Sequence, residues 1–201
     1  MYKIRYTLSD TSRKYLCSRK NRRVSHLYYT FDNGWDSVFL LSNKRDSGIL
    51  LQNKCYYEKQ DRDEYNAFRV SIGSRSVLEK SRMHFRVNPD KTLTFVSREP
   101  LPWQCMPIHE TIRSVDLFRD HVYWKYQNHT WDVATDVAIR ISFPSHKILV
   151  VLCDCVGETL KTYVDYQKSE NSILSHMWSK KVWGMKCENA DRFSREMIPL
   201  F

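Results

Sequence analysis

From Trp131 to Phe143 the chain alternates without a break: Trp131, Val133, Thr135, Val137, Ile139, Ile141 and Phe143 fall on one side, Asp132, Ala134, Asp136, Ala138, Arg140 and Ser142 on the other. A period of two sustained over that length fits a strand and not a helix, whose apolar positions recur at three and four. Pro144-Ser145-His146 then turns the chain into Ile148 to Cys153, which is apolar on both faces, the pattern of a central strand. A long hairpin at the heart of a β-rich fold is the first expectation.

Other segments repeat the pattern. Leu27, Tyr29 and Phe31 alternate ahead of Asp32-Asn33-Gly34, and Val38 to Leu41 and Ile49 to Leu51 flank Asp46-Ser47-Gly48. Asn-Gly and Ser-Gly supply the positive φ that tight hairpin turns need. Glu58 to Glu64 reads as a surface loop. Phe68, Val70 and Ile72 mark one strand face and Met83, Phe85 and Val87 another, with Asn88-Pro89-Asp90-Lys91 turning into Thr92 to Val96. Composition agrees. Four alanines against 12 Tyr, 9 Phe and 6 Trp favour strands over helices.

Three segments read as helical. Ser9 or Asp10 offers an N-cap for a basic helix over roughly 11–23. Residues 109–121 suit a short helix. Over 169–187, Ile173, Leu174, Met177, Trp178, Val182 and Met185 recur at helical steps, with Lys180, Lys181, Lys186 and Trp183 elsewhere on the surface. The expected class is therefore α+β: β-dominated antiparallel sheets or a meander, with a basic N-terminal helix and a C-terminal amphipathic helix. Residues 1–23 form a basic arm and 24–201 a single β-rich domain. A boundary between lobes would fall at 99–107, where Pro100, Pro102 and Pro107 cluster.

Charge is the sharpest functional signal. Residues 1–25 carry +7 of the net +9, leaving the other 176 residues nearly neutral. Such clustering costs self-repulsion and asks for an acidic partner. The candidate contacts are Arg13, Lys14, Arg19, Lys20, Arg22 and Arg23. Arg69, Arg82 and Arg86, joined by His84, would add a basic sheet face if their strands pair. That face lacks interleaved aromatics to stack bases, so it suits phosphate contact rather than sequence readout. A solvated arm and an ordinary charged outer face are the bland alternatives.

Catalytic patterns are fragmentary. The cysteines (Cys17, Cys55, Cys105, Cys153, Cys155, Cys187) lack the tight pairs of a zinc site and read as reduced core residues. His109-Glu110-Thr111 has no second copy. Asp116 and Asp120, at helical i, i+4 spacing beside His121, could make half of a metal corner. No Gly-rich phosphate loop or nucleophile elbow is present, and no cofactor or metal is expected. There is no apolar leader or membrane-length run, so the expected compartment is cytoplasm or nucleus.

The reading that follows is a non-enzymatic protein that engages nucleic acid or ribonucleoprotein through its basic arm. Second comes a viral-matrix-like peripheral membrane or assembly protein, its arm and Trp/Lys-rich C-terminal segment facing anionic lipid. Third is a small metal-dependent hydrolase acting on nucleotides or nucleic acid. Self-association or a protein partner is compatible with each.

Overall fold

The computed structural model describes residues 1–30, 37–42, 47–58, 63–74, 81–87, 93–100, 103–126, 129–152, 160–177 and 190–201. In chain order the first elements are β1 (Tyr2–Tyr6), α1 (Asp10–Cys17), β2 (Arg23–Thr30), β3 (Ser37–Ser42), β4 (Ser47–Glu58), β5 (Asp63–Ser74), β6 (Ser81–Val87) and β7 (Leu93–Pro100). Then follow β8 (Trp103–Thr111), β9 (Ser114–Tyr126), β10 (His129–Ser142), β11 (Lys147–Leu152), β12 (Leu160–Val164), α2 (Glu170–Met177) and β13 (Ala190–Pro199).

The alternating segment is β10, and the first sheet is built around it in the order β12-β11-β10-β9-β13. One edge of β10 is shared. Its C-terminal half, Ala138 to Ser142, pairs antiparallel with β11, as the hairpin pattern implies. Its N-terminal half, Trp131 to Thr135, takes β1 as a parallel partner. The opposite edge pairs with β9 along its length, with a bulge at Val137. Ile148 to Leu152 are all buried, as a strand flanked by β10 and β12 requires.

The second sheet runs β5-β4-β3-β2-β8, antiparallel throughout. It lies over the first, with β5 against β10 and β11 and β3 against β12. One apolar cluster fills the space between. Leu27, Leu40, Ile49, Leu51, Phe68 and Val70 from the second sheet meet Val133, Val137, Ile139, Ile148 and Val150 from the first. β6 and β7 form a separate two-stranded hairpin.

The α+β expectation is overturned. The described chain is mostly antiparallel sheet with two short helices of eight residues each. The N-terminal helix ends at Cys17 instead of reaching residue 23. Asn21 adopts φ 58°, and its N–H bonds the carbonyl of Ile112, while the Ile112 N–H bonds Arg22. That pairing draws Arg22 and Arg23 into the sheet, where continued helix would leave Leu16 as the single buried side chain of the segment. Two isolated turns of helix are marginal in any case, since nucleation is costly.

The C-terminal amphipathic helix is likewise not found. α2 is described over Glu170–Met177, residues 178–189 lie outside the described residues, and Ala190 to Pro199 form a strand along β9. The helix expected over 109–121 is also strand, split between β8 and β9. Both faces of β9 are buried there: Val115 and Leu117 alternate with Asp116, Phe118, Asp120 and Val122. Buried charges at alternate positions hid the period of two.

Candidate anion-binding surface

Residues 1–23 are tied to the body from end to end. Ile4, Leu8 and Leu16 enter the common core. Ser9 caps α1, its side chain accepting from the Ser12 N–H at 3.2 Å. At the other end the Cys17 thiol reaches the Leu200 carbonyl at 3.5 Å, and Lys20 lies over the Phe201 ring. The basic residues are therefore displayed in fixed positions on the surface.

Elsewhere the protein gives its arginines internal partners. Arg119 holds Asp136 through Nε at 2.7 Å, and Arg195 grips Asp120 with two bonds of 2.6 and 2.8 Å. Arg140 reaches both Asp116 and Glu170 at 3.1 Å, and Arg5 meets Asp132 at 2.6 Å. The basic segment is treated differently. Among the described residues, Arg13, Lys14, Arg19, Lys20, Arg22 and Arg23 form no ion pair. Arg13 and Arg19 are part-buried, and the Nε of each is shielded from solvent with no hydrogen-bond acceptor. A buried donor left unsatisfied is costly, about 1–3 kcal/mol, and such groups in native proteins call for an explanation.

Two clefts flank α1. One, of about 410 Å³, is lined by Tyr15, Arg19, Arg22, Ser42, Ser47, Gly48 and Ile72. The Arg19 guanidinium sits 4.2 Å from the centre of the Tyr15 ring, and the Tyr15 hydroxyl donates to the Gly48 carbonyl at 3.3 Å. Burial holds the Tyr15 phenol above its ordinary pKa despite the charge of Arg19 beside it, so it remains a donor. Glycine is required at position 48, since a Cβ there would collide with the Leu40 carbonyl. The second cleft, of about 360 Å³, gathers Arg5, Tyr6, Tyr56, Phe68 and Arg69 beside the first turn of α1. Tyr6 and Tyr56 stack there with ring centres 5.4 Å apart.

The expected basic sheet face is divided by this topology. Arg69 is exposed on β5, the last strand of the second sheet, whereas Arg82 and Arg86 belong to the separate β6–β7 hairpin, opposite Glu99 and Thr94. A register shift after His84 further interrupts the alternation that would align them. Arg5, Tyr6, Tyr56, Ser42 and Ser47 were not singled out from sequence. The parallel β1–β10 pairing and the β3–β4 and β4–β5 pairings bring them to α1, and none marks them as contacts in the sequence.

The histidines and carboxylates that could suggest hydrolysis are each held by a different neighbour. Asp116 and Asp120 lie on one face of β9 with Arg140 and Arg195 against them, and their helical spacing does not apply. His121, on the opposite face, contacts Glu196 at 2.9 Å. His109 sits at a bulge of β8 with φ 52°, its ring 5.2 Å from that of His26. Among the described residues, no group of three or more His, Cys, Asp and Glu could hold a metal ion, and no helix is long and apolar enough to cross a membrane. No protein-family model, curated protein or solved structure matches this chain.

Proposed function

We propose that the protein is a non-enzymatic binder of an extended polyanion, nucleic acid foremost, which it engages along α1 and the turn to β2. The observation that carries this reading is that Arg13, Lys14, Arg19, Lys20, Arg22 and Arg23 form no ion pair among the described residues. They lie in a segment whose one carboxylate, Asp10, forms no ion pair with them, whereas the other part-buried arginines among the described residues are paired internally. An external phosphate supplies the missing counter-charge. The membrane reading rests on the same basic arm together with Lys180, Lys181, Trp183 and Lys186, and these last four lie outside the described residues.

Anisotropy titrations of a labelled twelve-nucleotide single strand, repeated from about 50 to 200 mM salt, test the proposal. Affinity should fall steeply with salt. The triple variant Arg13→Gln, Arg19→Gln, Arg22→Gln should flatten the plot of log K against log salt by about 2, at roughly 0.7 per phosphate contact on a single strand. An unchanged slope and affinity in that variant would place the contact elsewhere.

A further inference from the structure

The two clefts beside α1 differ in how far their cations are committed. In the cleft at its first turn, Arg5 is already engaged with the side chain and carbonyl of Asp132, which leaves Arg69 as the cleft's other guanidinium. At its last turn, Arg19 and Arg22 converge with the hydroxyl-bearing Ser42 and Ser47, and neither arginine has a carboxylate partner among the described residues. Guanidinium groups with nearby hydroxyls make a phosphate site, the planar fork matching two oxygens of one anion.

The same cleft has an apolar wall. Ile72 is 66% exposed, although its cross-strand partner Ile49 is only 2% exposed on the same face of the sheet. The facing sheet covers Ile49 and stops short of Ile72, so the apolar row continues out of the core into the cleft. A volume of about 410 Å³ is at the small end of ligand pockets, enough for one mononucleotide unit. Resting on the polyanion reading above, we propose that this cleft takes one nucleotide of a single strand. Its phosphate lies on Arg19 and Arg22, and its base lies against Ile72. A duplex keeps its bases stacked inside and offers no face to Ile72. A lipid surface is flat on this scale and does not enter a concave site between a helix and a strand edge.

The test uses the full chain with three probes: a single-stranded dT12, a duplex of the same length, and inorganic polyphosphate of similar charge. Arg19→Gln should weaken dT12 binding about tenfold. Ile72→Ser should weaken dT12 about fivefold and leave polyphosphate unchanged, since it removes an apolar contact and no charge. Lys168→Gln, an exposed site away from the cleft, removes the same charge as Arg19→Gln and should change each affinity less than twofold. Melting temperatures near that of the parent would show that both cleft variants are folded.

Unchanged dT12 affinity in Ile72→Ser, or equal affinities for all three probes, would overturn the nucleotide site while leaving the polyanion reading standing. Failure of every probe to bind at low salt would overturn both. Binding to phosphatidylserine vesicles that depends on Ile72, without binding to dT12, would replace the strand with a membrane surface and so also overturn the proposal.

Discussion

Leu8 donates its backbone N–H to Oδ2 of Asp136 at 2.7 Å, across 128 residues of sequence. Asp136 is fully buried, and its carboxylate also accepts from Nε and Nη2 of Arg119 at 2.7 and 3.2 Å. This is the junction where β1 leaves the edge of β10 and β11 takes over, beside the bulge at Val137. One carboxylate thus satisfies a main-chain donor with no strand partner and neutralises an arginine that is 13% exposed.

Asp136→Ala should therefore cost about 3–5 kcal/mol, because it leaves a mostly buried guanidinium and a buried N–H without acceptors. Asp136→Asn keeps an acceptor and should cost less. Urea denaturation of the two variants checks this ordering, and equal midpoints for Asp136→Ala and the parent would remove Asp136 from the junction. Deleting residues 1–23 should also destabilise the body, since it strips β1 and the buried Leu8 and Leu16. Charge substitutions, rather than truncation, separate binding from folding.

Acid should weaken the fold through α2. Burial opposes the charged form of Glu170, but the Tyr166 hydroxyl at 2.7 Å and Arg140 at 3.1 Å outweigh it and hold the carboxyl below its ordinary value. The unfolded chain then takes up this proton at a higher pH than the folded one. The stabilisation is complete above the unfolded pKa and is lost as pH falls through the folded value. Denaturation midpoints recorded from about pH 6 to pH 3 should fall on acidification, and Glu170→Gln should flatten part of that fall. Matching profiles for parent and variant would show that this network does not couple to folding.

Much of the β architecture was legible because β10 alternates large apolar side chains with small or polar ones and β11 is a short unbroken apolar run. β10 and β11 could be read from alternation at Val137, Ile139 and Ile141 and from the apolar run after Pro144. β9 could not. Burial on both faces replaced its alternation with Asp116 and Asp120, whose partners Arg140 and Arg195 lie on other strands. Helix ends failed for a related reason: the contacts that stop α1, Asn21 and Arg22 with Ile112, are distant in sequence. The basic segment was visible as charge. Its clefts were not, since Ser42, Ser47 and Ile72 carry no binding signal until β3, β4 and β5 place them beside Arg19.

Position 140 shows how such pairing changes an energetic expectation. Alternation alone puts Ile139 in the core and Arg140 on a dispensable outer face. Ile139→Ala should indeed cost about 2–5 kcal/mol, since Ile139 is fully buried. Arg140→Ala, however, leaves Asp116 buried without its guanidinium and removes a partner of Glu170. Its cost should be comparable rather than negligible, and Arg140→Ala with Asp116→Ala should recover part of it in a double-mutant cycle. Additive effects would mean that the pair contributes nothing to the sheet.

Gly48 links the fold to the proposed site. Its main chain runs so close to the Leu40 carbonyl that a methyl group cannot fit without moving β3 or β4, and its own carbonyl receives the Tyr15 hydroxyl. Gly48→Ala should thus cost about 1–3 kcal/mol or more through overpacking between backbones that cannot yield. It should also disturb the seat of α1, lowering single-strand affinity along with stability. Tyr15→Phe removes the hydroxyl alone, from a long bond, and should cost under about 1 kcal/mol. Amide exchange distinguishes the two effects. Gly48→Ala should speed exchange in both α1 and β4, whereas Tyr15→Phe should affect α1 alone. Unaltered protection of α1 in Gly48→Ala would show that the helix is held without this contact, and that the cleft does not depend on it.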